Sequence, residues 1–103
     1  MQYANHIGYS DVNPFEIVRR VSEKTIDIRA MDSEQDPSWK PEFVAGGFSA
    51  VCLNNATQRW IITSNPDSPV VRIRKHSSGV WKDKHGRRYS LSDAPSKFYD
   101  YNF

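Results

Sequence analysis

Apolar and polar positions alternate with a period of two along most of this chain, which is the spacing of a strand that buries one face. Ile26, Ile28 and Ala30 alternate with Thr25, Asp27 and Arg29, and the polar triplet Ser22, Glu23, Lys24 separates this run from residues 15–21, FEIVRRV. Together the two runs predict an antiparallel hairpin. Adjacent Ile17 and Val18 interrupt the alternation, which predicts a bulge or a strand covered on both faces. Residues 43–53, FVAGGFSAVCL, are apolar at both parities. They read as a central strand, with Phe48, Ala50 and Cys52 opposite Ser49, Val51 and Leu53. Gly46 and Gly47 suit a bulge, a bend at a barrel corner or a close backbone approach. The polar run 54–57 then turns the chain into QRWIITS, predicting a second hairpin with Trp60 and Ile62 in the core.

Turn chemistry at residues 65–69 leads into VVRIRKHSSGVWKDKHGRR at 70–88. This reads as strand, turn at Ser77-Ser78-Gly79, short return strand, and second turn at Lys84-His85-Gly86. Val71 and Ile73 oppose Val70, Arg72 and Arg74. Residues 32–42 show no period, carry Asp32, Glu34, Asp36 and Glu42 with two prolines, and predict a long acidic loop. Trp39 stands alone in that loop, either as a lid packed over one end of a barrel or as a partner-contacting anchor. Ser92 and Asp93 suit a helix N-cap and Pro95 the first turn after it, so one short helical turn is expected near the C-terminus. No longer segment has a 3.6-residue apolar period, and no internal repeat occurs. Short strands at spacings of about 8 to 12 residues predict an all-β domain spanning 1–103. The expected fold is a small antiparallel barrel or roll, SH3-like in preference to OB-like because tight hairpins leave little room for a helix between strands.

Composition agrees with a folded domain: 103 residues, 38% hydrophobic and 13% aromatic, enough for one modest core. Charge adds more. The net +2 conceals a division, with 5 Lys/Arg against 8 Asp/Glu in residues 1–42 and 9 against 4 in residues 43–103. Arg72, Arg74, Lys75, Lys82, Lys84, Arg87 and Arg88 all fall within 70–88, where Asp83 is the sole acid and His76, Trp81 and His85 are interleaved, with Tyr89 next after them and Trp81 reading either as core or as a stacking platform. Cations that track phosphates beside aromatics that stack on bases are the usual means by which small β-barrels hold nucleic acid. Arg72 and Arg74 lie about 7 Å apart by strand rise, close to a phosphate repeat. These seven residues are the expected site for a nucleic acid or nucleotide. The alternative is a solvated, mixed-charge face. A second polar surface is Asn54, Asn55, Gln58 and Arg59, with Trp39 nearby. Its amides either cap strand ends or meet a base edge.

Other chemistry is missing from the pattern. Cys52 is the only cysteine, so no intrachain disulfide forms, and its apolar strand makes it a small buried hydrophobe. His6, His76 and His85 are scattered, near turns where exposure is expected, without metal-ligand spacing. No nucleophile elbow or phosphate loop occurs. No catalytic residue, metal or cofactor is expected, and the expected role is non-enzymatic binding. The start MQYANHIGYSD lacks a signal-peptide pattern, and no apolar run approaches a membrane span. A cytoplasmic protein without membrane contact is expected.

At GGFSAVCLNNATQRW and at the terminal KFYDYNF the chain resembles a family of small, uncharacterised proteins of phage, plasmid and mobile-element genomes, from Gly8 onward. The resemblance brings no activity to any residue, but it implies a phage setting in a bacterial host. Two classes fit that setting: a nucleic-acid or nucleotide-binding accessory protein, and an anti-defence inhibitor of the anti-CRISPR kind that binds a host protein or sequesters a nucleotide signal. The basic second half departs from inhibitors that mimic a phosphate backbone.

Overall fold

The strands and their register follow the alternation closely at residues 25–30 and 70–75 and depart from it between residues 32 and 63 and near the C-terminus. The computed structural model describes residues 1–46, 49–52 and 54–100. Its elements in order are β1 (Tyr3–Ile7), β2 (Val12–Asn13), β3 (Phe15–Ser22), β4 (Thr25–Ala30), β5 (Asp32–Gln35), β6 (Phe43–Gly46), β7 (Ser49–Cys52), a 3-10 turn η1 (Asn55–Thr57), β8 (Trp60–Thr63), β9 (Val70–Lys75), β10 (Trp81–Lys82) and β11 (Arg88–Ser92). Strands β1, β3, β4, β9, β10 and β11 pair in that order, and β11 pairs back onto β1. The result is a closed, all-antiparallel six-stranded barrel. The expected all-β small barrel is therefore the observed architecture.

The core is what the alternation selects. Ile26 and Ile28 of β4 and Ile73 of β9 are at most 1% exposed, and Ala4, Trp81 and Tyr89 join them from β1, β10 and β11. Each buried isoleucine contributes about 1.5 to 3 kcal/mol relative to exposure. The β3–β4 pairing skips Val18, passing from Ile17↔Ile28 to Arg19↔Asp27. Of the two readings of adjacent Ile17 and Val18, the bulge is the one found.

Four expectations are corrected. Residues 32–35 are not loop: β5 pairs with β8, Ser33 opposite Ile62 and Gln35 opposite Trp60. A ladder needs backbone groups alone, so it forms where side chains show no period, and the acidic loop shrinks to residues 36–42. Trp60 and Ile62 accordingly sit half-buried in this two-stranded sheet, outside the barrel core, and β8 does not pair with the segment before it. Residues 43–52 do not form one central strand; β6 and β7 fold on each other as a separate hairpin, Phe43 opposite Cys52, with Phe43 and Val44 exposed. Gly47, Phe48 and Leu53, which also figured in that reading, lie outside the described residues. Finally, among the described residues no helical turn follows Ser92, and the only helical turn there is η1. Asn5 explains the last point. Its side chain donates to Ala94 O at 3.2 Å and accepts from Ser96 N at 2.9 Å, taking the backbone groups a helical turn would have used.

Glu16 ties the second sheet to the barrel. Its carboxylate accepts from Arg29 Nη2 at 3.0 Å and from Ser64 Oγ at 2.7 Å, and these bonds, Ser64 first, hold its pKa below the usual range.

Candidate nucleic-acid interface

Register decides which cations stand together. Lys82 lies directly opposite Arg74 on β9 and directly opposite Arg88 on β11, so Arg74, Lys82 and Arg88 form a row across three strands. Inward positions on the same strands belong to Ile73, Trp81 and Tyr89, which puts the row on the outer face. Directly opposed side chains have Cβ atoms about 4.5 to 5.5 Å apart, and like charges there oppose stability. Among the described residues none of the three forms an ion pair.

The neighbouring row is built differently. Asp27 lies between Arg72 and Arg19, and Arg72 grips it with Nε at 2.8 Å from Oδ1 and Nη2 at 3.2 Å from Oδ2. Bidentate pairing holds the Asp27 carboxyl below, and the Arg72 guanidinium above, their ordinary values. Arg72 and Arg74 share a face as expected, yet among the described residues Arg74 has no carboxylate partner. Lys75 lies opposite Trp81, on the other face of β9 from Arg72 and Arg74.

Strand β10 ends at Lys82, after which the chain leaves the sheet in a turn before β11. Gly86 has φ +81 in that turn, a conformation that favours glycine. Asp83 holds the turn: its carboxylate accepts from His85 N at 2.8 Å, Arg87 N at 3.1 Å and Tyr89 Oη at 3.0 Å. Burial alone would raise its pKa, but these donors outweigh it and the pKa is lowered. Burial, then the bond to Asp83, raises that of Tyr89. Arg87 Nε is 4.0 Å from the same carboxylate, leaving the guanidinium loosely held and 61% exposed.

Because the ladder stops at Lys82, a cleft of about 830 Å³ opens between β9 and the Asp83–Arg87 turn, within the usual size of small-molecule sites. Phe15, Val71 and Tyr89 line it from the barrel side, and Arg74, Lys82, Lys84, His85 and Arg87 stand around it. A second cleft of about 500 Å³ shares Phe15 and Arg87 and adds His6, Met31, Asp32 and Lys97. The expectation that the histidines sit exposed at turns fails for His6. It lies in β1, its ring 5.4 Å from that of Tyr89 and 6.5 Å from that of Phe15. Burial first, then Arg87, lowers its pKa against the opposing pull of Asp83. The contributions of Phe15, His6 and Lys97 left no signal in the sequence, since barrel closure alone brings residues 6 and 15 beside 87 and 89.

At the other polar surface the amides are engaged within the chain. Asn54 bonds Lys40 O at 2.7 Å and Glu42 N at 2.8 Å, and Asn55 bonds Asp100 at 3.2 Å and Gln58 at 2.8 Å. Gln58 also accepts from Trp60 Nε1 at 3.0 Å and Tyr99 N at 2.9 Å. Trp39 is buried, its indole N–H donating to Thr57 Oγ1 at 3.2 Å. The strand-capping reading describes this arrangement, with Arg59 exposed at its edge. Cys52 is 3% exposed, with Sγ 3.4 Å from Asn54 Oδ1. No cluster of His, Cys, Asp or Glu among the described residues could hold a metal ion, and no described helix is long and apolar enough to cross a membrane. No protein-family model matches the chain, and neither curated proteins nor solved structures provide a match.

Proposed function

We propose that this protein is a non-catalytic module that binds nucleic acid, its phosphates resting on Arg74, Lys82 and Arg88 and on the adjacent Lys84 and Arg87. One observation carries the reading: three cations stand in direct cross-strand register with no ion pair among the described residues, while in the next row Asp27 pairs with Arg72. A folded domain carries the repulsion of such a row at a cost in stability, and an anionic backbone relieves it. The two-residue strand β10 brings Arg74 and Lys82 of the row to the mouth of a cleft with an apolar floor, the pairing of cations with hydrophobic surface that suits nucleotides better than bare anions. In the phage setting implied by the sequence resemblance, this describes an accessory protein acting in the bacterial cytoplasm.

The test is a titration of labelled single-stranded and duplex oligonucleotides at several salt concentrations. Wild type is expected to bind more weakly as salt rises. The triple variant Arg74→Ala, Lys82→Ala, Arg88→Ala is expected to flatten the log–log salt slope by about two to three units. Absence of wild-type binding at low salt would refute the proposal and favour an inhibitor that engages a host defence protein.

A further inference from the structure

The barrel wall is open between β9 and the Asp83–Arg87 turn, and the main chain exposed there has a defined chemistry. Along an antiparallel strand the N–H and C=O of successive residues point to opposite sides. Lys75 N donates to Lys24 O on the β4 side at 2.9 Å, and His76 N donates to Val80 O on the β10 side at 2.8 Å. Even-numbered residues of β9 therefore present both backbone groups toward β10. Arg74 meets Lys82 there, and the ladder then ends. Arg72 and Val70 direct their N–H and C=O into the cleft between β9 and the Asp83–Arg87 turn, with no hydrogen-bond partner among the described residues.

Resting on the nucleic-acid reading above, we propose that this gap receives one unstacked nucleobase of a single strand. The base edge pairs with the backbone N–H and C=O of Arg72, its face lies on Phe15 and Val71, and its flanking phosphates rest on the Arg74–Lys82–Arg88 row. Every common base carries an acceptor next to a donor on its pairing edge, so one N–H and C=O pair satisfies any of them. The site is thus tolerant of sequence. It selects strandedness, because in a duplex those same edges are already paired. Half-buried Phe15 and Val71 supply the apolar surface, and Asp83, through its bonds to His85 N, Arg87 N and Tyr89 Oη, keeps the far wall from collapsing onto β9. Arg72 cannot swing across to fill the gap, because Asp27 holds its guanidinium by two bonds.

Two measurements test this on the full chain. The first compares an oligothymidylate with an abasic-sugar oligomer of equal length and with a duplex. Preference for the oligothymidylate over both by about tenfold is expected, the scale of one stacked base. Phe15→Leu is expected to lower that preference while leaving abasic binding unchanged, with urea denaturation confirming the fold. The second follows backbone amide resonances. The Arg72 N–H is expected to shift with thymidine monophosphate and to stay in place with inorganic phosphate at equal concentration. Equal affinity for abasic and thymidylate oligomers, or an Arg72 amide indifferent to the nucleotide, overturns the gap site while the basic row stands. Failure of every oligomer to bind overturns both.

Discussion

Replacing Asp83 with alanine removes the one carboxylate on which the β10–β11 turn depends, and the structure sets the scale of the loss. The Asp83 side chain is 5% exposed. It satisfies the hydroxyl of Tyr89, itself 5% exposed. A buried hydroxyl left without its acceptor costs about 1 to 3 kcal/mol. The N–H groups of His85 and Arg87 belong to exposed residues, so water replaces their acceptor at a cost of about 0.5 kcal/mol each. Asp83→Ala should therefore destabilise by about 2 to 4 kcal/mol. With a urea dependence of about 1 kcal/mol per molar, the midpoint falls by about 2 to 4 M. Asp83→Asn keeps an oxygen for both turn amides and should lose about half as much. The pH dependence follows from the lowered Asp83 pKa. The carboxylate's contribution is complete above its unfolded value and disappears as pH falls through the lower folded value, so the asparagine variant should show a flatter acid limb. An alanine variant within about 0.5 kcal/mol of wild type, the resolution of such a titration, would refute the claim that this carboxylate holds the turn.

Ile73→Ala, at a 0% exposed position, should cost about 2 to 5 kcal/mol in urea denaturation, whereas Ile62→Ala, half-buried in the β5–β8 sheet, should cost clearly less; the reverse order would contradict the barrel assignment. Arg72→Ala should lower the unfolding midpoint more in the wild-type background than in an Asp27→Asn background, because the two side chains share a bidentate pair; equal losses in a double-mutant cycle would show no coupling. Burial holds the folded pKa of His6 below 6.5, so the unfolded chain binds the extra proton first and stability should decline as pH falls below that value. His6→Gln should remove that part of the decline, and an unchanged pH profile would contradict it.

Alternation alone determined the barrel's central strands. Thr25–Ala30 and Val70–Lys75 place Ile26, Ile28 and Ile73 inward and Asp27, Arg29, Arg72 and Arg74 outward because a strand with one buried face fixes that parity, with Lys75 departing from it only at the strand's end. Clustered charge likewise marked residues 70–88 as the basic segment, since composition is visible without a fold. What the chain alone could not reveal was set by pairing across distance. The strand Tyr3–Ile7 carries Asn5 and His6 in place of a clean alternation, and its role is visible only when β11 closes on it. Asp32–Gln35 becomes a strand because β8 supplies backbone partners, a bond that side-chain sequence does not encode. Within the basic segment, composition treated Arg72 and Arg74 alike. Register separated them, placing Asp27 against one and Lys82 against the other, because charges two residues apart in sequence take their neighbours from different positions on the adjoining strands.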